Sequence, residues 1–107
     1  MKYILNSAVV TKEGTYTYRL LDSKEAGVWI AQNYDQLKSY VGYPATQDFI
    51  RRKFGVEVPL SREAMDMKFG DQALVVRLKY RVQNPTTKAD VAPSDDDFEL
   101  GLLTKVS

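Results

Sequence analysis

The sequence predicts an α+β domain, with a mixed sheet of five or six strands and two helices packed on it. Short β-branched and apolar runs recur along the chain, and two stretches combine helical periodicity with helix start and stop signals. Charged residues interrupt every apolar segment, so no segment is expected to cross a membrane. At 107 residues the chain predicts one domain over 1–107, large enough to bury a real core.

The amino-acid composition excludes several classes of functional site. Fifteen basic and fourteen acidic residues leave a net charge of +1, so no overall attraction to duplex nucleic acid or membranes is expected, and any anion site must be local. The absence of Cys excludes disulfides and cysteine zinc sites, and the absence of His removes the commonest acid–base catalyst at neutral pH. We expect a cytoplasmic protein without a metal or cofactor.

The first strand is predicted over Lys2–Val10, with both faces buried. Asn6 and Ser7 interrupt its apolar run, and two readings stay open: side chains that satisfy neighbouring backbone groups, or a ligand contact. Thr15–Leu21 alternates and is predicted to form a hairpin with the first strand, with the turn near Gly14.

The first helix is predicted over Lys24–Gln32. Asp22 or Ser23 can cap it, and Glu25 follows Asp22 at capping-box spacing. Trp29 lies on its apolar stripe and is expected in the core.

The junction between the next predicted strand and the second helix is a candidate phosphate site. A predicted strand over Leu37–Val41 stops at Gly42, and Pro44 stands where the first turn of a helix over Ala45–Phe54 tolerates it. Such a helix start directs backbone N–H groups and the positive end of the helix dipole at a bound phosphate. The alternative is a plain strand–turn–helix connection. Gly55 is expected to end the helix in the left-handed conformation.

The outward face of this second helix carries Gln47, Asp48, Arg51 and Arg52. Because Asp48 and Arg52 stand four residues apart, solvated ion pairing is favoured over a nucleic-acid patch.

A second hairpin is predicted from Arg62–Phe69 and Gln72–Val82. Arg77, Lys79 and Arg81 would share one strand face, as an anion cradle or a solvent-exposed face.

Residues 83–97 are predicted to form a flexible loop, which could be a lid, a binding loop or disorder. A final strand begins at Phe98, where alternate residues are apolar.

Several of these features, taken in order, resemble the small viral ring nucleases, anti-CRISPR proteins of archaeal viruses, phages and integrated elements. The resemblance is carried by the strand end Leu5-Asn6-Ser7-Ala8 and by the junction Val41-Gly42-x-x-Ala45-Thr46. It continues through the helix exit Gly55-Val56-Glu57-Val58-Pro59 and the strand from Ala73-Leu74-Val75-Val76 to Tyr80-Arg81.

The resemblance implies a homodimer that encloses a cyclic oligoadenylate messenger and cuts it without a metal. Asn6 and Ser7 would then contact the ligand, and Arg81 would pair with its phosphate. Thr46 and the backbone at Ala45 would hold the same phosphate.

Two positions depart from the family pattern. Tyr43, next to Gly42, stands where the family has its catalytic histidine, and Asn84 stands where it has a glutamate. A phenol is a poor proton donor to an alkoxide at neutral pH, although it can stack on a base. No catalytic residue is therefore assigned, and the site is expected to bind rather than cut.

The resemblance, with these two departures, thus implies a viral or mobile-element protein that sequesters a cyclic or small nucleotide signal. One alternative is an active ring nuclease in which positioning, helped by Tyr43 or Lys79, supplies the acceleration. The other is a protein–protein inhibitor or adaptor that binds no nucleotide.

Overall fold

The computed structural model describes residues 1–6, 13–61, 67–79 and 95–107. Its five strands are β1 (Lys2–Leu5), β2 (Tyr16–Leu21), β3 (Leu37–Tyr40), β4 (Gln72–Leu78) and β5 (Phe98–Lys105). The two α-helices are α1 (Ser23–Asn33) and α2 (Pro44–Phe54), and short 3-10 turns lie at Tyr34–Gln36 and Asp95–Asp97. The predicted α+β class is confirmed.

The strands form one mixed sheet in the order β2-β5-β4-β1-β3. β1 lies between β3 and β4 and is parallel to both, so Leu5 lies beside Tyr40 on one side and Val75 on the other. β5 runs antiparallel to β4 and β2. The carboxyl ends of β1 and β3 therefore meet at the same end of the sheet.

Both helices pack on one face of the sheet. Ala26 and Ile30 of α1 and Phe49 and Ile50 of α2 share a buried cluster with residues of β1, β4 and β5 and with Val41 and Val58. Phe49 stacks on Phe98 of β5, with ring centroids 4.2 Å apart. Trp29 is half-buried and packs against this cluster, in agreement with its predicted place in the core.

The opposite face of the sheet carries a second buried cluster. It contains Tyr3, Leu5, Met67, Ala73, Val75 and Leu103. Because Ile4 points into the helix-side cluster while Tyr3 and Leu5 point into this one, β1 is buried on both faces as predicted.

Neither predicted hairpin forms among the described residues, and residues 7–12, which belong to the first, lie outside them. β2 pairs with β5 from the other end of the chain and not with β1, because β1 already has β3 and β4 on its two sides. β4 likewise lies between β1 and β5, and residues 67–69, the described part of the predicted partner strand, are not paired with it. Residues 62–66 themselves lie outside the described residues.

Local boundaries agree more closely. α1 begins after Asp22, whose side chain makes the predicted capping box with Glu25. α2 begins one residue earlier than predicted, at Pro44, and ends before Gly55, whose φ of 68° is the expected left-handed conformation. No helix in the described ranges has the length and apolarity needed to cross a bilayer.

Candidate functional site

The candidate site lies where β1 and β3 end and α2 begins. Asn6 follows β1, and its side-chain Oδ1 accepts a hydrogen bond from the Gly42 N–H at 3.2 Å. Gly42 follows β3 by two residues, so this bond ties the two strand ends together. In sheets with parallel strands, ligands commonly bind beyond the carboxyl ends of the strands, and the candidate site lies at that end of this sheet.

Asn6 thus has the first of its two predicted roles, that of satisfying a neighbouring backbone group. Its side-chain oxygen accepts the hydrogen bond of the Gly42 N–H. Its amide nitrogen, Nδ2, has no acceptor among the described residues. Fixing the oxygen on Gly42 orients the side chain and leaves that nitrogen as a donor at the strand end.

The start of α2 has no side-chain cap. Tyr43 is the N-cap residue, in extended conformation with φ −118° and ψ 119°, and its side chain makes no capping bond. No acidic residue lies in the first turn, so no carboxylate of α2 itself opposes the helix dipole there. An anion in front of this helix would meet no competing charge from the turn.

Only one amide of the first turn is without a partner in the described residues. Pro44 has no N–H, and the N–H groups of Thr46 and Gln47 both donate to the Tyr43 carbonyl at 3.1 Å. The Ala45 N–H has no such acceptor. The predicted set of several open amides is therefore reduced to the Ala45 N–H.

The predicted site residues divide into three groups. Gly42, Tyr43 and Ala45 are half-buried at the junction, as is Asn6. Thr46 is only 1% exposed, so its side chain faces the core in this conformation, and its contact with phosphate stays a prediction. Ser7, Arg81 and Asn84 lie outside the described residues.

Three arginines of the predicted cationic faces pair with carboxylates of the chain. Arg77 donates to the Glu99 carboxylate, which raises the pKa of the arginine further and leaves its guanidinium no free charge for an anion cradle. Arg51 and Arg52 both pair with Asp48, as the ion-pairing reading of that helix face predicted. Lys79 directly follows β4 and is exposed.

A groove that sequence reasoning missed runs beside α2, with a volume of about 480 Å³. It is lined by Gln47, Asp48, Arg51, Glu57, Val58 and Pro59. Gln47 Nε2 donates to the Val58 carbonyl at 2.7 Å, which joins two of the lining residues. Because Asp48 and Glu57 bring two carboxylates to its wall, this groove suits a phosphate less well than the start of α2.

Metal binding has no visible basis in the described ranges, where no three carboxylates are grouped at coordinating distance. The chemistry available at the junction is therefore that of neutral donors, a helix dipole and the Tyr43 ring. Groups of these kinds can bind and orient an anion.

Comparisons with known proteins place this architecture. A family model described as STIV B116-like matches residues 2–94. Among solved structures, B116 of Sulfolobus turreted icosahedral virus matches with a TM-score of 0.75, over 96% of this chain and 97% of that one. The two are 15% identical, so this likeness shows a shared fold. No characterised protein in a curated collection matches in sequence.

Proposed function

Because this chain belongs to the STIV B116-like family, we propose that it is a viral or mobile-element protein that captures a small nucleotide signal of host defence. The proposed ligand is a cyclic oligoadenylate or a related anionic nucleotide, which the protein would bind in the host cytoplasm. The observation that carries the proposal is the uncapped start of α2, set against Asn6 at the shared carboxyl end of β1 and β3.

Capture needs donors, a favourable potential and a stacking surface. The Ala45 N–H and the Asn6 Nδ2 supply donors, and the dipole of α2 favours negative charge at this end. Tyr43 is half-buried beside them, where its ring can stack on a base. Arg81 and Ser7, as the family resemblance implies, would complete the phosphate contacts.

Cleavage is not part of the proposal. The chain has no His, and Tyr43 holds the position next to Gly42 where the resembled family has its acid. Loss of a well-placed general acid typically lowers a rate by ~10² to 10⁴, so bound nucleotide should be released largely intact. A homodimer that closes over the ligand is the assembly proposed with this function.

One experiment separates capture from cleavage and from a ligand-free adaptor. Thermal unfolding is followed with a panel of cyclic oligoadenylates, cyclic dinucleotides and cyclic ADP-ribose isomers, and the nucleotide is recovered after denaturation and examined by chromatography. Intact ligand from a stabilised protein supports capture. Linear product would indicate an active ring nuclease, and no stabilisation by any member would remove the nucleotide from the proposal.

Asn6→Asp is the matched variant for this site. The carboxylate keeps an oxygen for the Gly42 N–H but replaces the Nδ2 donor with negative charge, so nucleotide stabilisation should be lost. Gln36→Glu is the control, because it adds the same charge at an exposed residue before the other end of β3. Equal loss in both variants would point to net charge and not to the junction.

A further inference from the structure

Helix α1 carries more apolar residues than the core buries. Val28, Trp29 and Ile30 follow one another in it, and successive residues of an α-helix point about 100° apart, so the three cannot all face the core. Ile30 is 2% exposed, whereas Val28 is 49% exposed and Trp29 is half-buried. An apolar strip of α1 therefore remains at the surface.

This strip lines a groove of about 350 Å³ between α1 and the end of β2, here called the α1 groove. Leu21 of β2 adds to its apolar lining, and the polar residues that line it are Arg19, Lys24, Glu25 and Gln32. No residue of the candidate nucleotide site lies in this lining. The use of the α1 groove is therefore independent of the proposed function.

Two donors of the α1 groove have no acceptor among the described residues: the ammonium group of Lys24 and the indole N–H of Trp29. Since every buried side-chain nitrogen of the described residues has a hydrogen bond, the indole nitrogen is accessible to solvent. Both groups are therefore available to a partner.

The carboxylate of the α1 groove is already in use. Glu25 accepts the Asp22 N–H at 3.2 Å and pairs with Arg19 at 3.2 Å. With Arg19 and Lys24 against Glu25, the described lining has a net positive charge. The α1 groove is thus complementary to a negatively charged partner.

We propose that the α1 groove binds an acidic segment of a partner protein, in which an apolar side chain stands next to a carboxylate. The apolar side chain packs on Leu21, Val28 and Trp29, and the carboxylate pairs with Lys24 and accepts the Trp29 N–H. An accessible tryptophan beside an arginine is also the kind of residue that contributes most to protein–protein binding.

The shape of the α1 groove favours a protein segment over a small molecule. A volume of about 350 Å³ is near the lower limit for ligand pockets, which enclose most of the ligand's surface. Lys24, Val28 and Gln32 are exposed along one row of α1, so the groove is open on that side. A protein segment can cover the open side with its own backbone, whereas a small molecule would stay in contact with water.

Trp29 is the only tryptophan of the chain, so its fluorescence reports on the α1 groove. The probes are short synthetic peptides without tryptophan, in which a Leu or a Phe is flanked by Asp, by Ser or by Lys. The Asp peptides should shift the Trp29 emission to shorter wavelength and bind about tenfold or more tightly than the Lys peptides. No shift with any peptide, or equal binding of the Asp and Lys peptides, would overturn the proposal.

Lys24→Glu tests the ion pair. The variant should fold as the wild type does, because Lys24 is exposed and a carboxylate in the first turn of α1 suits the helix dipole. Its preference should reverse, so that the Lys peptides bind more tightly than the Asp peptides. Lys68→Glu, with the same change of net charge at an exposed residue before β4, should keep the wild-type preference. An unchanged preference in Lys24→Glu, or a reversal in both variants, would contradict the contact.

Val28→Gln tests the apolar contact without changing the charge. Val28 is exposed, so the substitution should have little effect on folding. It should weaken the binding of the Asp, Ser and Lys peptides by similar factors, because it removes apolar surface that all three would cover. Unchanged binding of the Asp peptides would show that the apolar strip of α1 does not hold the segment.

Discussion

The starts of α1 and α2 differ in whether a side chain accepts hydrogen bonds from the first-turn N–H groups. At α1, the Asp22 carboxylate accepts the Glu25 N–H at 2.8 Å, and the Glu25 carboxylate accepts the Asp22 N–H at 3.2 Å. At α2, the N-cap is Tyr43, which supplies no side-chain acceptor. One helix start is closed by the protein's own carboxylates, and the other has no side-chain cap.

The difference teaches where each helix gets its stability. α1 has a complete cap and two buried residues, Ala26 and Ile30. α2 lacks the cap but has three buried residues, Thr46, Phe49 and Ile50. Packing can hold a helix whose end is uncapped, and this leaves the end available for function.

The largest expected effect concerns the packing that replaces the cap. Phe49→Ala should lower the free energy of unfolding by about 3–5 kcal/mol, because it removes a buried ring stacked on Phe98. Urea denaturation measures the change. A loss below about 1 kcal/mol would mean that α2 is not held by its core face, whereas Val28→Ala, at an exposed position of α1, should have little effect.

Asp71 offers a third carboxylate that accepts a backbone N–H, here from Lys68 at 2.9 Å. Burial alone would raise the pKa of Asp71, but the Lys68 hydrogen bond and the Met1 ammonium, 3.0 Å away, outweigh burial and lower that pKa below its ordinary 3.8. Its stabilisation is therefore complete above the ordinary pKa and is lost as the pH falls through the lowered one.

Asp71→Asn should cost about 1.5–3 kcal/mol at neutral pH, the usual range for a hydrogen bond to a charged group. The variant should also lose less stability than the wild type on acidification below pH ~4, where the wild-type carboxylate takes up a proton. Unfolding curves from neutral to acid pH measure both effects. Parallel pH profiles for the two proteins would show that Asp71 is not the group responsible.

Opening α1 tests the cap directly. Asp22→Ala should lower the free energy of unfolding by ~1 kcal/mol, because the Glu25 N–H loses its acceptor. Asp22→Asn, which keeps an oxygen, should recover most of that loss. An unchanged midpoint for Asp22→Ala would show that the capping box contributes nothing measurable.

Closing α2 is the reverse experiment and has the smallest effect on stability. Tyr43→Asp places a carboxylate at the uncapped start and should stabilise the protein by about 0.3–1 kcal/mol through the helix dipole. The gain should shrink as salt is added. A loss of stability would indicate that the Tyr43 ring contributes packing that outweighs a cap.

The elements of the fold were largely predictable because they depend on local signals. Asp22 with Glu25, Pro44 and Gly55 each act within a few residues, and each lies where its signal predicted. Strand pairing is different. β2 pairs with β5, which lies near the other end of the sequence, and no residue pattern within Thr15–Leu21 indicates which strand is its partner.

The candidate site was predictable in position but not in detail. The junction at Gly42 is visible in the sequence, and Asn6 does reach it. The number of free amides was overestimated, because Tyr43 uses its own carbonyl to accept two of the first-turn N–H groups. The burial of Thr46 could not be predicted from the local sequence either, because the core that buries it is built from strands distant in the chain.

Calorimetric titration of the wild type, Tyr43→Asn and Tyr43→Asp with the nucleotide that stabilises the wild type most is the most direct measurement. Tyr43→Asp should bind about tenfold or more weakly than Tyr43→Asn, since unit charges about 4 Å apart near a protein surface repel by a few kcal/mol. Both variants cap α2, so only the charge differs between them. Equal affinity for the two would contradict an anion at the start of α2.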